Sequence, residues 1–173
     1  ENRDSLKSEL ATLPKQKEKQ TALISACQSD IEYTQANPDT YTEEDKLLVR
    51  TRLQERLLNG EFRINEECLL EYRGFRIILP SGLIKSYSPY IFLEREGRYY
   101  IELGAGVGSF VMKIDAYIEA MEDQLKKLND GLKFLKNREK SIKAELKKQN
   151  DYSDRVAYYR DKLAELDKKL GVK

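Results

Sequence analysis

Between Lys126 and Lys148 lie nine cationic side chains: Lys126, Lys127, Lys133, Lys136, Arg138, Lys140, Lys143, Lys147 and Lys148. Three acids, Asp130, Glu139 and Glu145, stand among them. Lysine and arginine gathered on one helical stretch neutralise phosphates without reading bases, so this segment is the candidate nucleic-acid contact surface. The bland alternative is a solvated helix face, which is what charge on exposed helices usually amounts to.

Other groups with chemical potential are fewer. The run Glu102-Leu103-Gly104-Ala105-Gly106-Val107-Gly108 taken alone looks like the glycine-rich loop of a cofactor-binding Rossmann-type methyltransferase. That chemistry needs a parallel βαβ unit with an acid on the next strand. Here a heptad pattern follows instead, and the preceding strand is one arm of an antiparallel hairpin. The glycines are therefore expected to turn the chain out of a sheet into a helix capped by Ser109, and no cofactor is expected. The aromatic residues Tyr72, Phe75, Tyr87, Tyr90, Phe92, Tyr99 and Tyr100 are interleaved with Arg73, Arg76, Arg95 and Arg98. They could form a stacking platform for single strands, but strand alternation sends half of them inward, which favours core packing. Glu66-Glu67 and Glu43-Glu44 have no partner for general acid–base work.

The chain contains no histidine, which removes the commonest general base and the commonest neutral metal ligand. Ser–His–Asp and Cys–His nucleophilic machinery and His-containing zinc sites are thereby excluded. Cys27 and Cys68 stand apart from any metal-ligand spacing; a disulfide between them is the alternative to the expected pair of buried free thiols, which suits a reducing cytoplasm. Charged residues make up 35% of the 173-residue chain, with no tryptophan and a formal net charge of +1. Such a composition suits exposed helices and announces no global attraction to a polyanion. No apolar run approaches a membrane span. The chain enters a helical pattern directly from Glu1, as expected of a piece of a longer polypeptide.

The elements that must carry these groups follow from periodicity. Leu6, Leu10, Leu13, Ile24, Cys27 and Ile31 fall on one helical stripe over 4–36, interrupted by Lys17 and Gln20. Pro14 is expected to kink or restart this helix, and Asn37-Pro38 to end it. Thr42 followed by Glu43, Glu44 and Asp45 starts a second helix, closed by Asn59-Gly60. From Phe62 to Leu103 aromatic and β-branched residues dominate. Strands are predicted over Tyr72–Leu79, Tyr90–Arg95 and Arg98–Leu103, the last two joined by Glu96-Gly97 as a two-residue hairpin. Such a sheet needs a helix on one face, and the 42–59 helix is the evident cover. After Ser109, Val111, Ile114, Ile118, Met121, Leu125, Leu128, Leu132, Leu135, Ile142 and Leu146 alternate steps of three and four, broken only by Glu139. That spacing predicts a long coiled-coil helix. Asn150-Asp151 is expected to break it, with Val156, Tyr159, Leu163, Leu166 and Leu170 on a return helix folded back antiparallel. The predicted fold is α+β, a small antiparallel sheet of three to four strands on a long antiparallel coiled-coil stalk. Its parts are a stalk helix (1–36), a helix plus sheet (42–108), and the long heptad helix with its return helix (109–173).

In that order the chain resembles the C-terminal region of very large phage, plasmid and conjugative-element proteins. These join a DNA-methylase-like part to a DEAD/DEAH-box, Swi/Snf-type helicase core. The stretches that carry the resemblance are Arg73-Gly74-Phe75 within YRGFRIIL, then RYYIELGAGVGSF, the helix from Val111, and RDKLAELDKKLG. They cover roughly residues 60–173, with a weaker match around Leu13-Pro14. The family tends to carry Arg-x-x-Asn where this chain has Lys113-Ile114-Asp115-Ala116, and Pro-Phe where it has Asp151-Tyr152. None of the family's ATP-binding or helicase motifs lies here, so no catalytic residue carries over. The resemblance implies a non-catalytic accessory segment of a cytoplasmic DNA-processing protein. Its partners would be DNA or the rest of a helicase chain, with the basic residues 126–148 in contact. The alternative is a coiled-coil interaction or oligomerisation module, self-pairing and without a nucleic-acid role.

Overall fold

The computed structural model describes residues 2–171. The fold is α+β, with α1 (Arg3–Ala36), α2 (Glu43–Leu57), β1 (Phe62–Arg63), β2 (Glu67–Tyr72), β3 (Phe75–Leu79), β4 (Gly82–Leu83), β5 (Tyr90–Glu94) and β6 (Arg98–Glu102). A 3-10 turn (Val107–Ser109) leads into α3 (Phe110–Glu119), followed by α4 (Met121–Lys169). The described residues form two compact units, one of residues 22–129 and one made from those before 22 together with those after 129.

The 22–129 unit holds an antiparallel meander in the order β2-β3-β5-β6, beside a two-stranded ribbon of β1 and β4. Tyr72, Phe75, Ile77, Leu79, Ile91, Leu93, Tyr99 and Ile101 alternate to one face of the meander and are buried. They share a core with Val49, Leu53 and Leu57 of α2, with Phe110, Val111, Ile114 and Ile118 of α3, and with Cys27 and Ile31 of α1. The sheet is thus covered by α2 as expected, but α3 and the second part of α1 join it. Thr42 caps α2 through a complete capping box with Asp45, which satisfies two otherwise orphaned amides.

Several expectations are corrected here. The stretch Tyr72–Leu79 is not one strand: Arg73 and Gly74 form a tight turn between β2 and β3, with φ of 51° and 82°. Two consecutive positive φ values match the twist of a two-residue hairpin. The backbone of Gly74 lies against the Tyr33 ring, where any Cβ would overlap it. Glu94 and Arg98 pair directly, so the β5–β6 connection has three residues, closed by the Arg95 amide donating to the Gly97 carbonyl at 3.0 Å. Ser109 occupies the cap position of α3 without capping it by its side chain; its hydroxyl donates to the Gly106 carbonyl at 2.7 Å. The expected single helix after Ser109 is divided at Ala120, where neither Pro nor Gly marks the break. Cys27 is buried but Cys68 is exposed, and both thiols are free.

In the other unit, the first part of α1 packs antiparallel on α4. The Arg3 guanidinium donates to Asn150 at 2.5 Å, while the Gln20 amide lies where a Cβ on Gly131 would come within 2.7 Å of it. Leu6, Leu13 and Ile142 are the buried contacts, with Leu10, Leu135 and Leu146 around them. α1 runs unbroken through Pro14, whose cost of about 3 kcal/mol in a helix interior is offset by that packing. There is no return helix: α4 continues through Asn150 and Asp151 to Lys169. Asn and Asp disfavour a helix interior by only about 0.7 kcal/mol each, too little to stop a helix without Gly or Pro. No helix among the described residues is long and apolar enough to cross a membrane.

Candidate nucleic-acid interface

α4 carries the whole basic stretch. Lys126 and Lys127 are exposed in the part belonging to the 22–129 unit; Lys133, Lys136, Lys140, Lys143, Lys147 and Lys148 are exposed in the part that pairs with α1. At about 100° per residue, Lys133, Lys136, Lys140, Lys143 and Lys147 fall within an arc of roughly 80°. Each follows a seam residue by one position (Leu132, Leu135, Glu139, Ile142, Leu146), so the basic stripe runs alongside the contact with α1. That offset keeps the ammonium groups in water, while Ile142 of the seam is buried and its neighbours are half-buried.

Arg138 does not belong to the stripe. It is half-buried, and its guanidinium grips Glu9 of α1, with Nε at 2.7 Å and Nη2 at 2.8 Å. This two-pronged contact holds the Glu9 carboxyl below its usual range, chiefly through the hydrogen bond from Arg138. Glu139 points to the seam and accepts from Lys143 at 2.6 Å and from Lys17 of α1. Lys143 first, then Lys17, hold its carboxyl down to about 2. Lys17, one of the two residues that interrupt the stripe of α1, and Glu139, which interrupts that of α4, therefore satisfy each other. Among the described residues, no acid lies within ion-pair distance of Lys133, Lys136, Lys140 or Lys147.

The aromatic cluster divides by strand alternation. Tyr72, Phe75 and Tyr99 are core residues. Tyr90, Phe92 and Tyr100 meet on the opposite face, with ring centroids 5.1 to 6.0 Å apart. Arg98 covers Phe92 at 4.9 Å while binding Glu66 at 2.6 Å and Glu94 at 2.8 Å; Arg76 also pairs with Glu94. These guanidinium groups are neutralised within the sheet and offer little to a phosphate. In the glycine run, the Lys113 ammonium donates to the Leu103 carbonyl at 2.6 Å and lies against Gly104 (φ 67°). The sheet before it is antiparallel throughout, so the parallel unit that a dinucleotide-type loop requires is not its setting.

Two polar hubs carry no advance signal in the sequence. Asp30, fully buried on α1, accepts from the Glu96 amide at 3.0 Å, the Gly97 amide at 2.9 Å, the Tyr99 hydroxyl at 2.5 Å and Arg95 at 3.2 Å. Asp115 of α3 accepts from Tyr72 at 2.7 Å, Arg73 at 3.0 Å and Lys46 at 3.1 Å. Burial, reinforced by these carboxylates, pushes both tyrosine hydroxyls far above the usual phenol range. Both hubs are occupied by internal partners, so they fasten the hairpins to the helices. No protein-family model matches the chain, nor does any curated protein or solved structure.

Proposed function

We propose that the chain is a non-catalytic accessory segment of a cytoplasmic helicase-like DNA-processing protein, and that it contacts the nucleic-acid backbone through α4. The observation that carries this reading is the stripe of Lys133, Lys136, Lys140, Lys143 and Lys147, exposed on one face of a helix. Lys148 extends the contact within the same unit, and Arg138 braces α1 through Glu9 rather than touching phosphate. A coiled-coil geometry for the α1–α4 pair would present the stripe on a stiff support. The resemblance of residues 60–173 to the C-terminal region of helicase–methylase proteins supports the choice of DNA as the polyanion. Point-charge ammonium groups suit phosphate positioning and carry no base readout.

The test exchanges Lys133, Lys136, Lys140, Lys143 and Lys147 together for Glu. Affinity for a short DNA duplex should fall at least about tenfold, with the helical circular-dichroism signal unchanged. Undiminished binding would remove the stripe from the account. The competing reading, an interaction module with no nucleic-acid role, gains from the apolar residues that α4 leaves uncovered beyond Asn150; it requires that neither protein bind DNA.

A further inference from the structure

Beyond Asn150, where Arg3 makes its contact, no other element among the described residues covers α4. Tyr152, Tyr159, Leu163, Leu166 and Leu170 are all exposed, Tyr152 at 70% and Leu170 at 75%, and Val156 is half-buried. Their steps are four, three, four, three and four. At about 100° per residue these six occupy an arc of roughly 80°, the narrow seam of a helix that pairs with another helix. A membrane-surface helix shows a broader apolar face. This seam also continues the one that already packs on α1: from Ile142 and Leu146 it passes through Gln149 to Tyr152. Two successive steps of three there shift its phase, as a stammer does in a coiled coil.

The edges of the seam are charged unevenly. Arg155, Lys162 and Lys169 follow at seven-residue spacing along one edge; Ser153, Arg160 and Asp167 line the other. The acids Asp154, Asp161 and Glu165 lie toward the back of the helix, where Glu165 is 3.9 Å from Lys169. A second copy is a poor partner. Antiparallel pairing sets Arg155 against Lys169 of the other copy and both Lys162 and Arg160 against their own counterparts; parallel pairing sets Arg155 against Arg160, offset only by Lys162 against Asp167. Like charges at these flanking positions oppose pairing, and opposite charges select a partner.

We infer that residues 152–170 form a docking seam for a different polypeptide, an amphipathic helix whose own heptad seam is flanked by Glu or Asp. The inference stands apart from the phosphate-contact reading, since it uses another segment of α4 and another face.

Two fluorescent synthetic heptad peptides serve as probes, both with Leu and Ile in the seam, one flanked by Glu and one by Lys. They are titrated by anisotropy with the full chain and with a Y159A/L163A/L166A variant. The Glu-flanked peptide should bind at least about tenfold more tightly than the Lys-flanked one. The alanine variant should lose that binding while keeping its helical signal, and R155E/K162E/K169E should reverse the preference. Equal binding of the two peptides, or binding unaffected by the alanine variant, would overturn the inference. So would a seam-dependent homodimer in sedimentation, or seam-dependent capture by anionic phospholipid vesicles.

Discussion

Asp30 shows how much one buried carboxylate organises. Its two oxygens serve two backbone amides and a phenol, all from the β5–β6 turn region, so α1 holds the hairpin by its tip. Asp30→Ala would leave these donors buried without acceptors, at about 1–3 kcal/mol for each orphaned group. The expected loss is about 3 kcal/mol or more in urea unfolding monitored by tyrosine fluorescence. A loss below about 1 kcal/mol, the value of one ordinary hydrogen bond, would show that water replaces the carboxylate. None of this was legible in the sequence. An acid beside Ile31 on a charged helix reads as a solvent-facing residue, and only the arrival of a turn some sixty-five positions away in the chain gives it donors. Arg73 is similar: arginine at positive φ is not a turn signal, so the tight turn inside YRGFRIIL was hidden and the segment read as one strand.

At the scale of elements, the stripes of α1 and α4 were legible because steps of three and four survive their interruptions. The structure explains two of the interruptions, since Lys17 and Glu139 meet across the helix pair. Glu139 has its carboxyl lowered from 4.5 to about 2 by Lys143 and Lys17. A carboxyl lowered in the folded state contributes stability in full above its unfolded value and loses it as the pH falls through the folded value. Its contribution should therefore disappear between about pH 4.5 and pH 2. In thermal unfolding followed by circular dichroism, Glu139→Gln should be less stable than the parent at pH 6 and indistinguishable from it near pH 2. A gap that does not narrow with acid would sink the assignment. Where helices end was less legible. Asn150-Asp151 resembles a stop but costs too little to be one, and the break at Ala120 falls on a seam whose spacing runs straight through it. Helix termination at such places depends on packing, which periodicity does not encode.

For the whole molecule, a formal net charge of +1 means that any attraction to a polyanion must come from local segregation of charge. The grouping of lysines on α4 was legible in the sequence, and the structure adds which of them share a face and that Arg138 is withdrawn to Glu9. The apolar residues beyond Asn150 were legible as a heptad seam, but their partner was not. A repeating spacing says that a helix pairs; it does not say with what.

The most direct test of the phosphate-contact reading is the salt dependence of binding to a short DNA duplex, measured by fluorescence anisotropy on the full chain. With each neutralised phosphate contributing a slope of about −0.9 to log K against log salt, a five-lysine stripe predicts a slope of roughly −4 to −5. The five-fold Lys→Glu variant should bind too weakly to give one. A slope near zero, or no binding at about 50 mM salt where such contacts are strongest, would contradict the account.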